Sequence, residues 1–180
     1  MRIISGSHKG RRIQAPKNLP VRPTTDRAKE SLFSILTHHV DWEEASVLDL
    51  FAGTGNLSYE AASRGANRVL AVDRDAKCIR FITQTAAALE MPVEARKSDV
   101  NAFLETWREP FDLILADPPY DLAQEALQDL AERCREPDIL KSGGMLVIEH
   151  SPHRDLSGVA GFQQVRRYGS THFSFFGGKA

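Results

Sequence analysis

Apolar positions along the chain cluster in short runs bounded by turn residues: Ser46–Phe51, Arg68–Asp73, Phe111–Ala116 and Gly144–Glu149. Runs of that length predict strands covered on both faces. Pro92–Arg96 predicts one more, shorter strand. The stretches between them predict helices over Asn56–Arg64, Asp75–Glu90, Asp99–Trp107 and Leu122–Arg135, the first stopped by Gly65. Strands alternating with helices imply a parallel sheet with helices on both faces.

The two ends of the chain read differently. Phe162–Tyr168 and Thr171–Phe176 flank Gly169 and predict an antiparallel hairpin, which adds an antiparallel edge strand. At the other end, residues 2–6 and 10–15 flank a short polar turn and predict a second hairpin, ended by Pro16 to Pro20. Pro23 then holds the chain extended, and Thr24 or Thr25 can cap a helix with Asp26 in its first turn. Ala28, Leu32, Phe33, Ile35 and Leu36 form the apolar face of that helix. The fold class is α/β: a seven-stranded, mostly parallel sheet with one antiparallel edge strand, plus the N-terminal hairpin. A chain of 180 residues with no interdomain linker is expected to form one domain. It divides into a hairpin extension (1–20), a connecting helix (21–40) and a core (45–180).

Charge changes this picture at one place. Residues 1–30 hold eight Lys and Arg against two acids, whereas the other 150 residues carry a net charge of −7. A basic arm on an acidic body points to a polyanionic partner, although a solvated tail has the same composition. Arg11, Arg12, Arg22, Thr24, Arg27 and Lys29 are the candidates to meet phosphates, those around the helix entry helped by its affinity for anions. No apolar run is long enough to span a bilayer, and the first residues lack a secretory apolar core. Cys78 and Cys134 give neither a disulfide framework nor zinc-ligand spacing. His150 and His172 read as structural.

Candidate chemistry starts at Asp117-Pro118-Pro119-Tyr120, which ends the Phe111 strand. Two prolines stop both sheet and helix, so the chain turns rigidly there. A carboxylate on Asp117 beside the Pro118 carbonyl forms an acceptor-only pair, suited to holding an NH2 group by both hydrogens. Tyr120 can stack on a flat heterocycle. Taken alone, the same four residues also read as an ordinary Pro-rich turn. The loop Gly53-Thr54-Gly55 follows a strand and opens a helix, as a nucleotide-binding loop does, but Ser58 stands where a dinucleotide fingerprint has its third glycine. A smaller ligand without a pyrophosphate fits better. Asp73, twenty residues beyond Gly53, can accept ribose hydroxyls, and Asp99 can accept from an adenine amine. Asp49 and Asp117 border the same crevice, with Phe51, Arg74 and Val100 beside these acids. Each acid has a bland reading as a turn or cap residue. Together they mark the ends of four successive strands, where open α/β sheets bind ligands.

These motifs resemble the Rossmann-like class of S-adenosylmethionine-dependent methyltransferases. VLDLFAGTG is similar to their first motif, Asp73 to their ribose acid and DPPY to their amino-methyltransferase motif. KGRRIQAP, RPTTDRAKESLFSIL, VLDLFAGTGNLSYEAASRGA, DPPY, VIEH and RRYG recur in this order in the bacterial 16S ribosomal RNA guanine-N2 methyltransferases. That resemblance covers nearly the whole chain. It implies S-adenosyl-L-methionine as cofactor, and methylation of one guanine on an assembled or partly assembled 30S particle. The chain is also expected to be a cytoplasmic monomer needing no metal. Asn56, Ser58 and Arg74 depart from the family pattern. The alternatives are a DNA amino-methyltransferase, a non-catalytic nucleic-acid-binding domain of the same fold, and a nicotinamide oxidoreductase, the last weakened by the incomplete glycine fingerprint.

Overall fold

In the computed structural model, residues 1–19, 21 and 24–179 are described. Seven strands form one sheet: β1 (Ser46–Leu50), β2 (Arg68–Asp73), β3 (Val93–Lys97), β4 (Phe111–Ala116), β5 (Leu140–His150), β6 (Phe162–Tyr168) and β7 (Thr171–Gly177). Their spatial order is β3-β2-β1-β4-β5-β7-β6. Neighbours among the first five pair in parallel, and β7 pairs antiparallel with both β5 and β6. The closing hairpin therefore supplies the one strand against the grain, and seats it inside β6.

Side chains alternate across the sheet, so each strand feeds two cores. Val47, Val69, Leu113 and Val147 face one side, under α1 (Asp26–Leu36), α2 (Asn56–Ser63) and α3 (Ala76–Ala88). Leu48, Leu70, Ile114 and Ile148 face the other, under α4 (Val100–Thr106) and α5 (Gln124–Cys134). The apolar runs are continuous because both faces are covered. β5 begins four residues before the sequence-predicted Gly144, across a register shift opposite Phe111 to Leu113. Thr25, not Thr24, caps α1, accepting from the Ala28 N–H at 3.2 Å.

The N-terminal pairing is smaller than a full hairpin. One bridge joins Arg2 to Arg12, extended by Ile3 N–H to the Arg11 carbonyl and Ile13 N–H to the Met1 carbonyl, both 2.9 Å. Ile3 and Ile13 are buried in the α1–α3 core, so the arm is fastened rather than loose. Gly6 lies against the end of α2, where an added Cβ would meet the Ser63 carbonyl oxygen at 1.8 Å. Only glycine allows that approach. Fully buried Glu60, on α2, accepts from the Ile4 and Ser5 N–H groups at 2.9 and 3.1 Å.

Candidate active site

A cavity of about 810 Å³ opens at the C-terminal ends of the strands. Asp49, Asp73, Asp99 and Asp117 all line it, as do Phe51, Gly53, Arg74, Val100, Pro118 and Tyr120. Gly55 does not line it. Its role is the turn itself: φ is +86°, and an added Cβ would fall 2.7 Å from the Tyr59 ring. The turn of Thr171 and its neighbours Gly169 and Ser170 forms another wall.

The loop after β1 is held by its neighbour strand. Asp73 accepts from the Gly53 N–H at 2.8 Å through one oxygen and from the Asp75 N–H at 2.9 Å through the other. A carboxylate fixed by two backbone donors keeps lone pairs for further donors, which suits a pair of ribose hydroxyls. Asp99 is the N-cap of α4, accepting from the Ala102 N–H at 3.1 Å, and is also exposed at the cavity. Capping α4 does not take Asp99 away from the cavity.

Asp49 is in an unusual state. It is 1% exposed, one oxygen accepts from the Ser58 hydroxyl at 2.6 Å, and the other, Oδ1, has no partner among the described residues. Burial pushes its carboxyl up to about 7. A half-satisfied buried acid on a cavity wall is a seat for a cationic or N–H donor group. Ser58, a departure from the family pattern, is thus put to use. So is Asn56, which accepts from Lys29 at 2.8 Å and donates to the Thr24 carbonyl at 3.2 Å.

Asp117 follows β4, its N–H still donating to the Leu50 carbonyl at 3.2 Å. Its carboxyl is raised well above the usual range, first by burial, then by the charges of Glu149 and Asp49. Glu149, the penultimate residue of β5, was not singled out from sequence as a site residue. It is 5% exposed and lines the cavity. Thr24 donates its hydroxyl to one carboxylate oxygen at 2.7 Å, and Tyr120 donates to the other at 3.0 Å. The Tyr120 oxygen also lies 3.3 Å from the Thr171 hydroxyl, and burial pushes its phenol up to about 12. Glu149 had a signal: like Asp49, Asp73 and Asp117, it is an acid at or next to the end of an apolar strand.

Two of the phosphate candidates are corrected. Lys29 is 1% exposed, paired with Glu60 at 3.4 Å and donating to the Arg2 carbonyl at 2.5 Å. Burial lowers its ammonium pKa. It holds the arm to α2 and cannot reach a phosphate. Thr24 is buried against Glu149 and belongs to the cavity, not to a basic surface. Arg11, Arg12 and Arg27 are exposed. Arg22 lies outside the described residues. His150 is buried between the Ser151 carbonyl and the Ser174 hydroxyl, at 2.9 and 2.7 Å, as a structural histidine. Among the described residues no cluster of three His, Cys, Asp or Glu could hold a metal, and no helix is long and apolar enough to cross a membrane.

Residues 1–177 match the family model described as conserved hypothetical protein 95. The chain is 36% identical over 184 residues to the Bacillus subtilis protein named "Putative rRNA methyltransferase YlbH", covering 98% of each. It is 30% identical to the ribosomal RNA small subunit methyltransferase D of Haemophilus influenzae, over 87% of this chain and 81% of the relative. Among solved structures, a 16S rRNA N2 G1207 methyltransferase of Thermus thermophilus, in complex with AdoMet and guanosine, superposes with a TM-score of 0.69 at 25% identity. That match covers 89% of this chain and 45% of the other.

Proposed function

The chain belongs to the conserved hypothetical protein 95 family, and on that premise we propose that it methylates the exocyclic N2 of a guanine in 16S ribosomal RNA. S-adenosyl-L-methionine is the methyl donor, supplying an electrophilic methyl group on a sulfonium. The single observation that carries the reading is the cavity. It joins the glycine loop and three strand-end acids to the Asp117–Tyr120 corner in one space. About 810 Å³ is in the range of small-molecule and cofactor sites.

The residues present fit the cofactor. Asp73 and Asp99 are acceptors for ribose hydroxyls and an adenine amine. The Asp49 oxygen with no partner among the described residues is matched to a cationic or N–H group of the methionine half. At the other end, the Asp117 carboxylate and the Pro118 carbonyl take the two hydrogens of the guanine amine. That fixes the nitrogen lone pair toward the cofactor side of the cavity. The amine is a weak nucleophile, its lone pair delocalised into the ring. Positive charge builds on it only during transfer, so its attraction to Asp117 strengthens in the transition state. Asp117, or a water beside it, then takes the proton. Tyr120, steadied through Glu149 and Thr171, offers its ring face to the base.

Arg11, Arg12 and Arg27 meet RNA phosphates outside the cavity. The substrate is an assembled or partly assembled 30S particle, and the enzyme acts as a cytoplasmic monomer of one domain. Incubation with labelled S-adenosylmethionine and naked 16S RNA, 30S particles or duplex DNA tests this, followed by nucleotide-resolution mapping of the methyl group. Label on one small-subunit guanine N2 is the expected result. Label on duplex DNA alone, or on no nucleic acid, refutes it.

A further inference from the structure

The active-site cavity has a neighbour. A second cavity, of about 410 Å³, lies over the ends of β5, β6 and β7, above Leu156 and Phe162 of the α4–α5 core. The two cavities share walls. In the closing hairpin, Tyr168 and Thr171 line the first, and Arg167 and His172, one residue further from the turn, line the second. In the loops, Leu122 lines the first and Arg154 the second, and Arg154 Nε donates to the Leu122 carbonyl at 2.9 Å.

Strand register makes the second cavity basic. His150 on β5 pairs with His172 on β7, which pairs with Arg167 on β6. Residues directly opposite each other in a sheet share a face, so these three side chains form one row. His150 is the back of the row. Its two ring nitrogens are engaged by Ser151 and Ser174, and its ring meets that of His172 edge-on at 5.8 Å. Neither the His172 ring nor the Arg167 guanidinium has a hydrogen-bond or ion-pair partner among the described residues. Arg154 engages one of its five N–H donors, on Leu122. One acid, Asp155, stands on the same wall, but it is exposed and accepts from the Ser157 N–H at 2.9 Å. Burial first, and the Arg167 charge second, lower the His172 pKa. An anion between the two would reverse the second effect. Donors from three elements thus converge on one space, and guanidinium forks match the oxygens of a phosphate.

We propose that this second cavity is a phosphate subsite, in which Arg167, His172 and the outer N–H groups of Arg154 hold a backbone phosphate of the RNA strand beside the target guanine. The proposal rests on the RNA methyltransferase reading and adds a path for the strand. A base drawn into the active-site cavity pulls its own backbone across the rim. The rim on this side is the hairpin turn and the Leu122 loop, the walls that the two cavities share. A phosphate contact carries no sequence but sets register, so the subsite positions the strand and leaves the choice of base to the first cavity. His172, structural by its sequence context, gains a binding role.

The test uses the full chain with R167A, H172Q and, as control, R166A. Arg166 has the same charge one residue away, on the opposite face of β6. The ring C–H signals of His172, assigned by their loss in H172Q, are followed by NMR as a short single-stranded RNA containing the target guanine is added. They should move in wild type and in R166A, and R167A should need about tenfold more RNA for the same shift, the loss of one charge-assisted contact. On 16S RNA or 30S particles, R167A should raise KM by about tenfold with kcat and cofactor affinity unchanged. It should also lower the log–log salt slope of RNA binding by about one unit, which R166A should not. Cofactor binding by each variant reports on its fold. Three outcomes overturn the subsite: His172 signals unmoved by RNA in wild type, an R167A salt slope and KM equal to wild type, or an R166A loss as large as that of R167A. Any of these beside normal wild-type methylation leaves the methyltransferase reading standing. A wild type that methylates no RNA removes that reading, and the His172 response then decides the subsite by itself.

Discussion

Asp49→Asn should make the cofactor-free protein more stable at pH 8 and little changed at pH 5. The Asp49 carboxyl titrates near 7 when folded, against an ordinary 3.8. A raised folded pKa is stabilising below the unfolded value. That stability is lost as pH climbs from about 4 to about 7, because the unfolded chain releases its proton first. Three units at about 1.4 kcal/mol each set the full loss above pH 7 at about 4 kcal/mol. At pH 5 the loss is about 2 kcal/mol. Asparagine never carries the charge, so it recovers these amounts. Its amide N–H, placed where Oδ1 has no partner among the described residues, costs about 1–3 kcal/mol in return. The net expectation is near zero at pH 5 and about 2 kcal/mol of added stability at pH 8, or about 4–8 °C in Tm for a chain of this size. Thermal or urea unfolding of the cofactor-free protein at both pH values measures it. The same variant should bind S-adenosylmethionine at least about tenfold more weakly, the loss of one charge-assisted contact. If wild type and variant differ by the same amount at pH 5 and pH 8, Asp49 is not a buried titrating acid and the reasoning fails.

Other expectations follow from the same geometry. Asp117→Ala should lower turnover by about 10²–10³ while cofactor affinity changes little, because its contact with the amine strengthens only during transfer; single-turnover rates beside equilibrium titration separate the two. Arg11→Ala with Arg12→Ala should reduce the log–log salt slope of RNA binding by about one to two units, and an unchanged slope moves the RNA surface elsewhere. Lys29→Met should leave that slope alone, yet cost about 3–5 kcal/mol in urea unfolding, as breaking a buried ion pair does; Arg64, 3.0 Å from Glu60, brings the figure toward the low end.

The strand and helix sequence was legible because it depends on local pattern. Ser46–Leu50 and Phe111–Ala116 are too short for a helix and are bounded by turn residues, which marks them as strands buried on both faces, and Asp73 and Asp117 stand at strand ends whatever the strands pack against. The crevice at the ends of parallel strands follows from that alternation, so many of the residues that line the cavity could be named from spacing. The edges of elements moved by a few residues, most at β5, whose early part pairs across a register shift that no local pattern announces.

Lys29 and Glu149 mark where that reading stops. By sequence, Lys29 is one of eight basic residues in an arm; its spacing from Leu32, Phe33 and Leu36 places it on the apolar face of α1, unlike exposed Arg27, but no local signal names its partner. Its burial is decided by Glu60, thirty-one residues on and brought alongside by the packing of α1 on α2. Glu149 meets Thr24 across 125 residues and Tyr120 across 29. A side chain's own sequence neighbourhood sets its element and face. Whether a charge ends in water, in an ion pair or on a cavity wall is set by partners that only the folded chain brings within a few ångströms.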